Sequence, residues 1–76
     1  MQQKITSDVF GVLNLTTGDE YIRVEQTAPG AEKSEQRFPL VDAADIALRV
    51  LYLLLKDNKK AVLQKSPFYA EVKKML

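Results

Sequence analysis

The side chains with chemical potential in this sequence are Ser7, Ser34 and Ser66, ten carboxylates, and a set of lysines concentrated towards the C-terminal end. A serine nucleophile needs an adjacent base, ordinarily histidine, and the chain contains no histidine. It contains no cysteine either, so disulfides, thiolate chemistry and soft-metal ligation are ruled out together. Asp42 and Asp45 stand three residues apart, the spacing of a paired-carboxylate site on a helix. Capping explains both better: Asp42 can hold the free amides of a first helical turn and Asp45 can answer it as a weaker capping-box partner. Val41 and Ile46 occupy the two positions of a hydrophobic staple. Asp19-Glu20 falls in a turn and reads as solvated. The remaining carboxylates are scattered over strands and turns, without the clustering that a hard cation requires. Gly11, Gly18 and Gly30 are isolated, so no glycine-rich phosphate loop exists. These residues lead to a non-catalytic chain, with no cofactor and no metal site expected.

The elements that carry these residues are legible from periodicity. Val9, Gly11, Leu13 and Leu15 fall on one phase of a strand, Phe10 and Val12 on the other. Gly18-Asp19 is a two-residue hairpin signal. With that pair at the turn, Leu15 faces Ile22 and Leu13 faces Val24, and the opposite face carries Phe10, Val12, Tyr21, Arg23 and Glu25. Residues 27–35 form a polar loop broken by Pro29-Gly30. A third short strand follows, with Phe38 and Leu40 in phase, and Pro39 assigns it to an edge because proline has no amide to donate. The pattern predicts strands over about 5–15, 20–26 and 36–40 and helices over about 43–57 and 67–75. Asn58 stops the first helix, residues 61–64 add a short helical turn, and Ser66-Pro67 opens the last helix. The expected fold is α+β: a three-stranded antiparallel β-meander packed on one long α-helix, plus a short C-terminal helix, all in one small domain of 76 residues.

The long helix is unusual. At about 100° per residue, Ala43, Ala47, Leu51 and Leu54 centre its apolar side, and only Asp45, Arg49 and Lys56, with Tyr52 beside them, interrupt it. Asp45 and Arg49 are four apart and can pair. The apolar arc exceeds roughly 200°, about twice that of an ordinary surface helix. A sheet face cannot cover such an arc. Either Phe68, Val72 and Met75 of the C-terminal helix cover the second stripe, or Leu48, Tyr52 and Leu55, at i, i+4 and i+7, meet a second copy or another protein.

Charge is also uneven. Residues 1–48 carry four basic and eight acidic side chains, a net of −4, and residues 49–76 carry seven basic and two acidic, a net of +5. Lys56, Lys59 and Lys60, with Lys65, Lys73 and Lys74, make a basic C-terminal region, and Phe10, Tyr21 and Arg23 offer a stacking surface for single-stranded nucleic acid. The element order across residues 5–56 resembles that of single-stranded-DNA-binding transcriptional coactivator domains. The resemblance is one of order alone and assigns no family, because Asp8, Glu20 and Glu25 stand near Arg23 where basic strand residues would be needed. Lysines at helix ends are ordinary in any case.

Met1 is followed by Gln-Gln-Lys and a strand-like pattern rather than a leader, and the apolar run of residues 50–55 is far short of the roughly 20 residues that span a bilayer. A cytoplasmic location is expected, with no membrane partner. The reading is a small interaction module, a regulator or inhibitor of the type found among bacterial and phage accessory proteins. Its contact candidates are Phe10, Val12, Tyr21 and Arg23 on the sheet, Leu48, Tyr52 and Leu55 on the helix, and Lys56, Lys59 and Lys60. A homodimer through the long helix and a nucleic-acid-binding domain are the alternatives.

Overall fold

The computed structural model describes residues 1–30 and 32–76. Strands β1 (Gln2–Ser7), β2 (Gly11–Thr17), β3 (Tyr21–Thr27) and β4 (Lys33–Pro39) precede helices α1 (Leu40–Lys56), α2 (Lys60–Leu63) and α3 (Tyr69–Met75). The strands form one antiparallel sheet in the order β1-β2-β3-β4. The chain divides into two compact units: a sheet unit, Met1–Ala44, and a helical unit, Asp45–Leu76. The class is α+β, with four strands where three are expected.

The fourth strand arises because the segment 5–15 is a hairpin. Ser7 pairs with Gly11, and Asp8, Val9 and Phe10 form the loop between them. Gly11, the first residue of β2, has φ +80°, a backbone that glycine adopts without steric cost. Val9 N donates to Ser7 Oγ at 3.1 Å inside the turn. Gly11 is buried. A Cβ there would overlap the Thr27 carbonyl oxygen and lie 2.9 Å from Pro29 Cδ. The apolar alternation from Val9 to Leu15 runs straight through this turn, so the period-2 pattern conceals it.

The β2–β3 register also differs from expectation. Gly18 N donates to Tyr21 O at 2.8 Å, which makes Asp19 and Glu20 the centre of the turn. Neither of them, nor Gly18, has positive φ, so the turn is not of the primed type that Gly18-Asp19 suggests. Leu15 pairs with Val24, Thr17 with Ile22 and Leu13 with Gln26, a slide of two residues. A slide of two leaves every side chain on its own face, so the hydrophobic pattern fits both registers equally and only the turn decides. Ile5, Leu13, Leu15, Ile22, Val24 and Phe38 share one face through their cross-strand pairings. The other face holds Val12, Tyr21, Arg23, Glu25, Lys33, Glu35 and Arg37. β4 is an edge strand, in keeping with Pro39 at its end. The expected polar loop over 27–35 is shorter, because Thr27 and Lys33 already pair; Ala31 lies outside the described residues.

β4 passes directly into α1. Leu40 N donates to Glu20 O at 2.9 Å, continuing the β3–β4 ladder by one step into the helix start. That bond satisfies an amide that would otherwise need a cap. The helix accordingly begins at Leu40 rather than after Asp42, and Asp42 lies within the first turn, where its carboxylate still suits the positive helix end.

In the helical unit, α1 ends as its sequence suggests. Asn58 has φ +59°, a conformation asparagine tolerates better than most residues. Asn58 N donates to Leu55 O at 3.3 Å and Lys59 N to Leu54 O at 2.7 Å, the paired bonds of a Schellman stop. Arg49 Nε donates to Asp45 Oδ1 at 2.8 Å across one exposed turn. Pairs of this kind contribute about 0.3–0.5 kcal/mol. Ser66 Oγ accepts from Phe68 N at 3.2 Å, so Ser66-Pro67 shapes a turn and regular α3 starts two residues later than expected.

Candidate functional site

Two surfaces gather the residues that sequence singles out, one in each unit. On α1, Leu48, Tyr52 and Leu55 stand in line at i, i+4 and i+7. They are 66%, 61% and 46% exposed. The C-terminal helix does not cover them. It shares a groove with a different part of α1: Leu51, Leu63 of α2, and Phe68, Tyr69, Val72 and Leu76 line an apolar groove of about 500 Å³ within the helical unit. Leu51, Leu54, Leu63 and Tyr69 are half-buried in this unit and no side chain in it is fully buried. The reason is geometric. α3 spans only Tyr69–Met75, about 10 Å at 1.5 Å per residue, and Val72, with Phe68 and Leu76 at the helix ends, is itself exposed. Met75, which sequence offers as a cover for the second stripe, is exposed.

The α1 stripe carries almost no formal charge of its own. Arg49 is neutralised by Asp45, and Lys56 sits in the last turn, where a cation complements the helix dipole. Lys59 and Lys60 follow the Schellman stop and lead into α2. All three lysines are exposed, and none is engaged by a carboxylate among the described residues.

The four sheet candidates are not brought together. Phe10 lies in the β1–β2 turn, half-buried, with its carbonyl oxygen accepting from Gln26 Nε2 at 3.1 Å. Val12 pairs with Thr27 at one end of β2. Tyr21 and Arg23 lie at the other end, beside the β2–β3 turn, so the stacking row of Phe10, Tyr21 and Arg23 does not form. Tyr21 and Arg23 instead join Thr16, Thr17, Gly18 and Arg37 around a shallow groove of about 280 Å³. Sequence reasoning misses Thr16, Thr17 and Arg37. The signal available was phase: Arg37 is out of phase with Phe38, hence on the face of Arg23 if β4 pairs with β3.

Electrostatics on this face follow from register. Arg23 pairs directly with Arg37, and Glu25 with Glu35. Like charges directly opposite are destabilising, and contacts along and diagonal to the strands offset this. Arg23 Nε lies 3.1 Å from Glu25 Oε1 and 3.8 Å from Glu35 Oε1, and Arg37 Nε lies 3.3 Å from Glu35 Oε1. Lys33 Nζ contacts Glu25 Oε2. The hydrogen bond from Lys33 holds the Glu25 carboxyl below its ordinary range, the Arg23 and Lys33 charges add to this, and partial desolvation opposes it. Arg23 Nε and Thr16 Oγ1 are buried and have no hydrogen-bond partner, because the Arg23–Glu25 contact is off the N–H direction.

Among the described residues, no three acidic side chains converge as metal ligands. No helix among them is long and apolar enough to cross a membrane. Comparison with family models, with curated proteins and with solved structures finds no match, so the two surfaces stand on their own chemistry.

Proposed function

We propose that the chain is a non-catalytic protein-interaction module, a regulator or inhibitor that acts by surface contact through the outer stripe of α1. One observation carries this reading: Leu48, Tyr52 and Leu55 are exposed in line on α1, within a wider exposed apolar surface that includes Ile46, Val50 and Leu53. Aligned apolar side chains at i, i+4 and i+7 with an aromatic in the middle are the pattern of a helix that docks in a groove or against a second helix. Tyrosine is favoured at binding hot spots because it covers a large area at low entropic cost and keeps a polar tip. The sheet face gives less support to nucleic-acid binding, since Glu25 and Glu35 stand beside Arg23 and Arg37.

The test is substitution of the stripe. Tyr52→Glu places a charge at its centre without touching the groove under α3. The expected result is unchanged helical content with loss of complex, read by circular dichroism and by sedimentation or co-purification. Sedimentation of the unsubstituted chain separates the two kinds of partner: about twice the 8.6 kDa chain mass means a second copy, and a stoichiometric larger species from its host means another protein. Monomer at every concentration, together with no complex in its host, contradicts the proposal.

A further inference from the structure

The groove at the β2–β3 turn has a composition that the interaction reading does not use. Its lining is two guanidinium side chains, two threonines, a tyrosine and a glycine, with no carboxylate. Arg23 and Arg37 face each other directly across β3 and β4. Their close contacts with Glu25 and Glu35 run through Nε. Both arginines nonetheless line the groove, and no carboxylate does. The local cluster is three cations, Arg23, Lys33 and Arg37, against two carboxylates, Glu25 and Glu35. Lys33 is committed to Glu25, so the excess positive charge resides at the arginine pair.

From this geometry we infer an oxyanion-binding site of the phosphate class between Arg23 and Arg37. A pre-oriented guanidinium presents parallel N–H donors that match a tetrahedral oxyanion, and such charge-assisted bonds are about twice as strong as neutral ones. Two guanidiniums directly opposite repel each other, Glu25 and Glu35 offset part of this, and a dianion between the guanidiniums removes the remainder. The Thr17 hydroxyl donates to the Met1 carbonyl at 3.3 Å and Thr16 Oγ1 is buried, so the two guanidiniums supply the donors. About 280 Å³ is roughly nine water molecules' worth of liquid, enough for a phosphate monoester as well as free phosphate. This site lies within the sheet unit and does not rest on the reading of α1.

The experiment is titration of the full chain with inorganic phosphate, followed by 1H–15N NMR at ionic strength held constant with chloride, with phosphoserine and acetate as parallel titrants. Saturable shifts are expected at Thr16, Thr17, Gly18 and Tyr21 and at the Nε–H signals of Arg23 and Arg37, with millimolar affinity. Arg37→Gln, on the exposed edge strand, weakens phosphate binding by about tenfold, the loss of one charge-assisted contact. Lys65→Gln leaves it unchanged and controls for diffuse attraction. Tighter phosphoserine than phosphate binding identifies a monoester as the preferred source, and the reverse identifies the free ion; both support the site. Absence of saturation, shifts centred on the lysines of the helical unit, equal affinity for acetate, or unaltered binding in folded Arg37→Gln each overturn it.

Discussion

The sheet unit and the helical unit solve the problem of a small chain in different ways. In the sheet unit, backbone geometry specifies the structure. Three hairpin connections set the register, Gly11 is packed against the Thr27–Ala28 backbone and the Pro29 ring, and the charged face is tied into a ladder by Arg23, Glu25, Lys33, Glu35 and Arg37. In the helical unit, α1 is well terminated but only partly covered. Leu51 and Leu54 are half-buried, and most apolar side chains elsewhere on it face solvent. Charge divides along the same boundary: Met1–Ala44 carries four basic and seven acidic residues, a net of −3, and Asp45–Leu76 carries seven basic and three acidic, a net of +4. The lesson is that uncovered apolar surface on a capped, regular helix is a property of that helix's surface, separate from whether its fold is well specified.

The sheet unit is most sensitive to substitution at Gly11. Gly11→Val forces a β-branched residue into left-handed backbone and drives its Cβ against the Thr27 carbonyl. The expected cost is on the order of 2–3 kcal/mol, read as a lowered midpoint of urea unfolding. A variant as stable as the parent would mean that the β1–β2 turn does not specify the sheet. Next in size is Leu51→Ala. Leu51 is half-buried in the α3 groove, so truncation costs about 1 kcal/mol, roughly half the value of a fully buried leucine. Its signature is faster amide exchange in α3 with the sheet unaffected.

A smaller effect distinguishes the sheet's charged face. The Glu25 carboxyl is held below its ordinary value of 4.5, chiefly by the hydrogen bond from Lys33. A folded pKa below the unfolded one contributes stability that is fully present above the unfolded value and is lost as pH falls through the folded one. Stability should therefore decline below about pH 4.5, and Glu25→Gln should flatten that part of the profile. A profile of the same steepness in the variant would remove Glu25 from the account. The smallest effect on stability belongs to the α1 stripe: Leu48→Asp should stay within about 0.5 kcal/mol of the parent, because Leu48 is already exposed. A large loss there would show that the stripe is structural.

Much of this arrangement is legible in the sequence, and the exceptions share a cause. The long helix, its stop at Asn58, the Asp45–Arg49 pair and the edge position of the Pro39 strand all follow from local rules, because each depends on residues within one or two turns of one another. The Ser7–Gly11 hairpin and the two-residue slide of β2 against β3 are hidden because period-2 alternation is unchanged by an in-phase turn or an even shift. The start of α1 at Leu40 depends on Glu20, twenty residues away, whose carbonyl takes the Leu40 amide. The same logic governs the sites. The α1 stripe is visible as a surplus of apolar arc on one helix, whereas the arginine groove needs the β3–β4 pairing before Arg23 and Arg37 can be seen as neighbours.

Site-specific photo-crosslinking tests whether the stripe of Leu48, Tyr52 and Leu55 is a docking surface. A photoreactive residue replaces Leu48 or, as a control, Glu71 on the polar side of α3, in the full chain within its host. The account predicts one discrete adduct from position 48, at twice the chain mass or at the mass of the chain plus one partner, absent from position 71 and abolished by Tyr52→Glu. No discrete adduct from position 48, or equal adducts from both positions, would contradict it.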